Sequence, residues 1–265
     1  MLRVLVNGAD GRMGSQVVQA VHEDKELEVV GGISITHVGE DVGEVAGIGS
    51  LGIAIRNDLG AALDEIKPDV VVDFTTPKVI FDNAKTCIAH GVPMVVGTTG
   101  LTAAQRDELD ELAREKDTSI FIAPNFSIGA VLMMKLSEEV APYLPDVEII
   151  ELHHNNKLDA PSGTAIMTAN KIAAARAAAG VKPAPDNTHE SLEGARGAKV
   201  DGISVHSVRL PGYIAHQQVL FGGYGELLTI RHDSMDRKSF MPGVVLAVKK
   251  VTSKKGLTFG LENYL

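Results

Sequence analysis

Residues 2–6 form a compact apolar run, and after a glycine-rich stretch Val17, Val18 and Val21 recur at helical spacing. The pattern then repeats. A strand is expected over 27–35, a Gly- and acid-rich loop over 38–52, a short helix around 58–65, an apolar strand over 70–74, a helix over 77–90 and a strand over 93–96. Thr102 with Gln105 three residues on forms a capping-box start for a charged helix to 116, and 119–123 reads as another strand. Such alternation predicts an α/β fold with an N-terminal doubly wound parallel sheet. Beyond 128 the rhythm changes. A helix over 128–141 is stopped by Pro142 and Pro145, a short strand covers 147–150, an Ala-rich helix runs over 165–180, and 181–200 reads as an exposed loop. Three strands at 202–210, 214–222 and 226–232, joined by Pro211-Gly212 and Gly222-Gly223-Tyr224-Gly225 turns, predict a second α+β domain on an open mixed or antiparallel sheet. A last helix (240–251) and a strand near Leu257 are expected to return to the first domain. The division expected is 1–127, completed by 240–265, for dinucleotide binding, and 128–239 for substrate binding and oligomerisation.

The turn after the first strand reads Asn7-Gly8-Ala9-Asp10-Gly11-Arg12-Met13-Gly14. Glycines at 8, 11 and 14 suit a Rossmann-type unit: the first permits the tight turn, the second clears space for a pyrophosphate, and the third lets helix and strand pack closely. The usual acidic partner at the end of the second strand is missing, because Ser34 and Ile35 stand there and no acid follows until Glu40 and Asp41. That absence admits the 2′-phosphate of NADPH, which Arg12 could approach, so NADH, NADPH or both remain open, and both are expected to support turnover with similar KM. Gly97-Thr98-Thr99-Gly100 and Ala123-Pro124-Asn125-Phe126-Ser127 follow two other strands, where ligands of open parallel sheets sit.

Composition narrows the classes. With 25 basic and 34 acidic residues the formal charge is −9, which disfavours broad contact with nucleic acid or an anionic membrane. The hydrophobic fraction is 45% and the mean hydropathy +0.09, with no membrane-length apolar run and no signal-like segment, so a soluble cytoplasmic protein is expected. Cys87, the single cysteine, forbids an intrachain disulfide and is expected to be a packed core thiol.

The chemistry concentrates in Glu151-Leu-His-His-Asn-Asn-Lys-Leu-Asp-Ala-Pro-Ser-Gly-Thr-Ala165, a strand-to-helix connection. Ser162 and Thr164 are N-cap types, Gly163 lets a ligand approach the backbone, and the free N–H groups of a first helical turn receive anions. His153, His154 and Lys157 add charge and transferable protons. Zinc is the weaker alternative, since adjacent histidines of a strand point to opposite faces and no Cys cluster accompanies them. The segment reads as a receptor for a small anion that also needs a proton.

Together with Arg231-His232, Arg237, Phe240 and Gly243, these motifs resemble the dihydrodipicolinate reductase family over essentially the whole chain. The resemblance implies reduction of a small cyclic imine dicarboxylate by NADH or NADPH, on the lysine and diaminopimelate pathway. It implies His153 as proton donor and acceptor, Lys157 as proton donor, and His154, Gly163 and Thr164 as carboxylate ligands. It gives Gly8 to Met13, Gly97 to Thr99 and Ala123 to Phe126 to the dinucleotide, with Ser34 beside it and no metal. It further implies a homotetramer formed through the second domain's sheets. Ser34-Ile35 departs from the family, many of whose members place an acid and an arginine there. Two rivals are another two-domain nicotinamide dehydrogenase, whose semialdehyde version needs a nucleophilic cysteine, and an idle nucleotide-binding sensor, which has no use for a His153/Lys157 pair.

Overall fold

The computed structural model describes residues 1–265, which divide into two compact units, Met1–Ile128 with Phe240–Leu265, and Gly129–Ser239. In chain order the first unit contains β1 (Leu2–Asn7), α1 (Gly14–Glu23), β2 (Leu27–Ile33), α2 (Val42–Ala46), β3 (Ile55–Arg56), α3 (Leu59–Ile66), β4 (Val70–Asp73), α4 (Ile80–Ala89), β5 (Met94–Val96), α5 (Ala103–Glu115) and β6 (Ser119–Ile122). α6 (Ile128–Val140) opens the second unit, followed by β7 (Asp146–His153), α7 (Gly163–Ala179), β8 (Ala198–Val200), β9 (Ile203–Arg209), β10 (Ala215–Gly223) and β11 (Glu226–Ser234). α8 (Met241–Lys250) and β12 (Gly256–Phe259) return to the first unit.

The first sheet has strand order β12-β6-β5-β4-β1-β2-β3, with every pairing parallel. β1 and β4 run side by side at its centre and are buried throughout their apolar residues Val4 to Val6 and Val70 to Val72, as expected for strands covered by helices on both faces. The chain goes from β1 to β2 on one side and later to β4 on the other, so the switch point lies between β1 and β4, and their carboxyl ends open on a crevice. Thr102 and Gln105 form the expected reciprocal cap of α5. Cys87 is fully buried, and burial together with the charge of Asp73 pushes its thiol far above the usual range, which removes it as a nucleophile.

Two expectations are corrected. The second strand stops at Ile33, because residues 34–39 bend and Ile35 is almost fully exposed. The segment 38–52 is not simply a loop. Asp41 accepts bonds from the N–H groups of Gly43, Glu44, Leu51 and Ile53 and from the Ser50 hydroxyl, so one side chain both caps α2 and folds the following turn back upon it. The two-residue β3, too short for any periodicity to announce, completes the sheet edge.

The second unit is a mixed sheet of order β11-β10-β7-β9-β8. Its middle strand β7 is parallel to β9 and antiparallel to β10, with Glu151 level with Ser207 on one side and Gln217 on the other. Ala165, Ala169 and Ile172 of α7 are fully buried together with Ile149 of β7, which makes that side of the strand the core side. Glu151 shares this side by the two-residue period.

The glycine turn is fixed by contact distances. Gly8 has φ +80°, and a Cβ at Gly14 would lie 1.9 Å from the Gly8 carbonyl oxygen. Gly14→Ala is therefore expected to destabilise the first unit by about 1–3 kcal/mol through overpacking and to weaken nucleotide binding, as read by urea unfolding and nucleotide titration. An unchanged midpoint would show that the turn has room it does not display.

Candidate active site

The centre of the His-His segment is a buried carboxylate. Glu151 has no exposed side-chain surface; its Oε2 meets His153 Nδ1 at 2.5 Å and Arg209 Nη1 at 2.8 Å, while its Oε1 receives Arg209 Nη2 at 2.7 Å and the Ser162 N–H at 3.2 Å. Burial raises the Glu151 pKa, but bonds from His153, Arg209 and Ser207 and the attraction of His153 outweigh it and hold the group at about 2. The carboxylate is ionised at neutral pH, and the arginine clamp is two-pronged, the stronger geometry for this pair. His153 presents Nδ1 to Glu151, which leaves Nε2 as the nitrogen for proton exchange.

The connection from β7 to α7 is shaped by the same cluster. Arg209 Nη2 also donates to the Asp159 carbonyl at 2.7 Å, and the Leu210 N–H donates to the His153 carbonyl at 3.1 Å, so β9 grips both ends of the segment. The Lys157 N–H returns to the His154 carbonyl at 3.2 Å, and its ammonium pairs with Asp159 Oδ1 at 2.7 Å. That bond and the lysine's charge hold the Asp159 carboxyl below its ordinary range, against the effect of burial. Ser162 caps α7 by accepting the Ala165 N–H at 3.2 Å. A Cβ on exposed Gly163 would meet no protein atom within 4 Å, so no packing contact calls for glycine there, and the helix start stays open to a ligand. The structure thus gathers His153, His154, Lys157, Gly163 and Thr164 within one short connection.

In the first unit the candidate nucleotide residues gather at the carboxyl ends of β1, β4, β5 and β6. Asp73, fully buried at the end of β4, accepts from Asn7 Nδ2 (2.8 Å), Asn83 Nδ2 (3.0 Å), Thr98 Oγ1 (2.8 Å), Thr75 Oγ1 (2.7 Å) and the Thr75 N–H (3.0 Å). One carboxylate therefore ties the ends of three neighbouring strands and fixes the Gly97-Thr98-Thr99 loop. A Cβ at Gly97 would fall 2.1 Å from the Phe74 ring. Thr99, Pro124 and Arg12 are exposed, Met13 and Asn125 partly so, and α1 begins without a side-chain cap. These features fit a bound dinucleotide, with its pyrophosphate at the uncapped start of α1.

Some candidates change meaning. The side chains of Ala9, Ala123 and Phe126 are buried, and Phe126 packs against Phe74 and Phe121 at centroid distances of 5.8 and 6.0 Å, so these three residues offer a nucleotide only backbone. No acid follows the second strand directly, as read from the sequence, but Asp10 of the glycine turn lies against the residues beyond it, where Thr36 Oγ1 donates to its Oδ2. Glu151 opens the segment read as the site but was given no role of its own, and Arg209 and Asp73 were not expected as site residues. The pairing of β7 with β9 places Arg209 beside His153, although they lie 56 positions apart in sequence, and no local pattern announces it.

Comparison with known proteins follows the same division. The profile described as dihydrodipicolinate reductase, N-terminus, matches residues 2–126, and that described as dihydrodipicolinate reductase, C-terminus, matches 129–265. A protein of Listeria monocytogenes named 4-hydroxy-tetrahydrodipicolinate reductase is 51% identical over 264 residues, covering 100% of both chains. One of the same name from Syntrophomonas wolfei is 50% identical over 265 residues, 99% of this chain and 98% of its own. The solved structure of a dipicolinate-bound dihydrodipicolinate reductase from Paenisporosarcina superposes with a TM-score of 0.90 at 46% identity, over the full length of both chains.

The Glu151 cluster has a pH signature. Its folded pKa of about 2 lies below the ordinary value of 4.5, so its stabilisation is present above pH 4.5 and is lost as the pH falls through 2, a contribution on the order of 3 kcal/mol. Between pH 4.5 and 2 the unfolding free energy should fall less steeply in Glu151→Gln than in the unaltered protein. Parallel slopes in that window would contradict the clamp.

Proposed function

The chain belongs to the dihydrodipicolinate reductase family, and from that premise we propose how its residues serve the reaction. As an oxidoreductase of this family it reduces 4-hydroxy-tetrahydrodipicolinate to tetrahydrodipicolinate with a nicotinamide nucleotide, a step toward diaminopimelate and lysine. The nucleotide, when bound, supplies a hydride. What remains is protons and charge: loss of water leaves a conjugated imine, hydride addition moves an electron pair toward the ring nitrogen, and the resulting enamine must gain a proton.

The observation that carries the assignment of roles is the Glu151–His153 bond beside the open start of α7. His153 exchanges a proton through Nε2, with Glu151 holding the ring and stabilising its cationic form. Lys157, held by Asp159, supplies a proton and positive charge as electron density moves onto nitrogen. His154, Gly163 and Thr164 take the two carboxylates, the helix N-terminus contributing its N–H groups. Gly8 to Met13, Gly97 to Thr99 and Ala123 to Asn125 hold the nucleotide, together with the backbone of Phe126. We propose a homotetramer built on the second sheet, since the edge strand β11 exposes Leu227 and Leu228 and the turn before it exposes Tyr224. No helix is long and apolar enough to cross a membrane, and a cytoplasmic location accords with a single reduced thiol.

The purified protein should oxidise nicotinamide nucleotide only when freshly generated substrate is added, and His153→Ala and Lys157→Ala should each lower kcat by about 10²-fold or more while nucleotide affinity is retained. Near-normal turnover in both variants would refute the roles. Pyridine-2,6-dicarboxylate should compete with substrate, and less well against Thr164→Val; no inhibition at millimolar concentration would count against a cyclic dicarboxylate ligand. Light scattering should give four times 28.1 kDa, and a monomeric mass would refute the assembly.

A further inference from the structure

We infer that Asp10, a residue of the glycine turn, is the acid that receives the adenosine ribose hydroxyls in this chain, and that it makes the site select NADH over NADPH. The inference rests on the dinucleotide-binding reading of the first unit. In folds of this kind a carboxylate at the end of the second strand accepts the ribose hydroxyls of NAD and repels the 2′-phosphate of NADP. Sequence position puts Ser34 there, and taken alone it favours neither nucleotide.

The backbone brings a different residue to the same place. The N–H groups of Gly8 and Ala9 donate to the Ile33 carbonyl at 2.8 and 3.1 Å, which staples the glycine turn onto the last residue of β2. Asp10 follows directly. Its Oδ2 accepts from the Thr36 hydroxyl, and Thr36 in turn lies on Ser34, with its N–H 3.1 Å and its Oγ1 3.3 Å from the Ser34 Oγ. Ser34 is itself anchored by its N–H to the Arg56 carbonyl at 2.8 Å, so the patch is tied at that residue to the edge of the sheet. The two hydroxyls that could have bonded a 2′-phosphate instead face an acid. Burial raises the Asp10 pKa, but the bonds from Thr36, Ser34 and its own backbone and the attraction of His37 outweigh it and hold the group below its ordinary value, so it is charged at neutral pH.

The other two acids of the region are already engaged. Asp41 is consumed by the four backbone N–H groups and one hydroxyl of its own turn, and Glu40 pairs with His37 Nδ1 at 3.1 Å. Asp10 keeps acceptor capacity to spare, since an ionised carboxylate offers about four positions and the bonds from Thr36, Ser34 and its own backbone do not fill them. Of the basic side chains in the region, Arg12 is exposed, Arg56 pairs with Glu65, and the His37 ring, which attracts Asp10, is shared with Glu40 at 3.1 Å. The equal use of both nucleotides expected from Ser34 is accordingly replaced by a preference for NADH.

Direct binding separates this inference from the reading beneath it. Dissociation constants for NADH and NADPH are measured by nucleotide fluorescence on the unaltered protein, on Asp10→Asn and on Asp10→Ser, in the absence of substrate. The unaltered protein should bind NADH at least about tenfold more tightly than NADPH. Asp10→Asn should bring the two constants together by about tenfold or more, chiefly by tightening NADPH, and Asp10→Ser should move the ratio the same way. A preference for NADPH in the unaltered protein, or an unchanged ratio in both variants, overturns the inference while leaving the dinucleotide site intact. Failure of the unaltered protein to bind either nucleotide overturns both.

Discussion

A negative charge with no exposed surface in the central strand of a sheet must be met by donors from its neighbours, and Glu151 in β7 is that charge. Water cannot reach it, so the cost of desolvation has to be offset by ionic hydrogen bonds. The register of β7 with β9 supplies Arg209, the strand's own two-residue period supplies His153, and the start of α7 supplies the Ser162 N–H. Each donor then carries a further consequence. Arg209, once drawn in, catches the Asp159 carbonyl and holds the loop, Ser162 fixes where α7 begins, and His153 is left with one free ring nitrogen. Removal of one partner of such a cluster costs about 3–5 kcal/mol, because it strands an unpaired charge. The segment proposed to be catalytic is thus ordered by the requirement to satisfy one carboxylate.

The first unit repeats the device with a different residue. Asp73 at the end of β4 is saturated by donors from Asn7, Thr75, Asn83 and Thr98, and the strand ends that it joins carry the loops proposed to hold the nucleotide. Parallel strands alone leave their carboxyl-end loops free to adopt many conformations. A buried acceptor shared between three of them selects one, as polar networks do when every member is satisfied. In both units, then, a buried carboxylate bonded within the protein organises the loops around it.

Much of this was legible in the chain. Apolar runs alternating with helical periodicity gave the parallel sheet, and the clustering of His153, His154 and Lys157 before a Ser-Gly-Thr helix start gave the candidate site, because both are local patterns. What escaped reading depends on pairing across distance. Arg209 is an ordinary arginine until β9 lies beside β7, and Asp73 is an ordinary strand-end acid until Asn7 and Thr98 arrive. Asp10 is legible as part of the nucleotide turn, but its nearness to the residues after the second strand is not, because scanning forward from that strand finds no acid until Glu40, whereas the turn before it folds one back. The helix within 38–52 was hidden because its single cap, Asp41, is bonded mainly to residues up to twelve positions downstream.

If Glu151 governs the site, it must fix the protonation of the His153 ring. Nitrogen-15 NMR of the histidine side chains, assigned with a His153 variant, reads this directly. Near neutral pH the account predicts that His153 in its neutral form carries its proton on Nδ1, bonded to Glu151, with Nε2 unprotonated, and that Glu151→Gln abolishes this fixed tautomer while the other histidine signals persist. A His153 ring protonated on Nε2, or one whose tautomer is indifferent to residue 151, would contradict it.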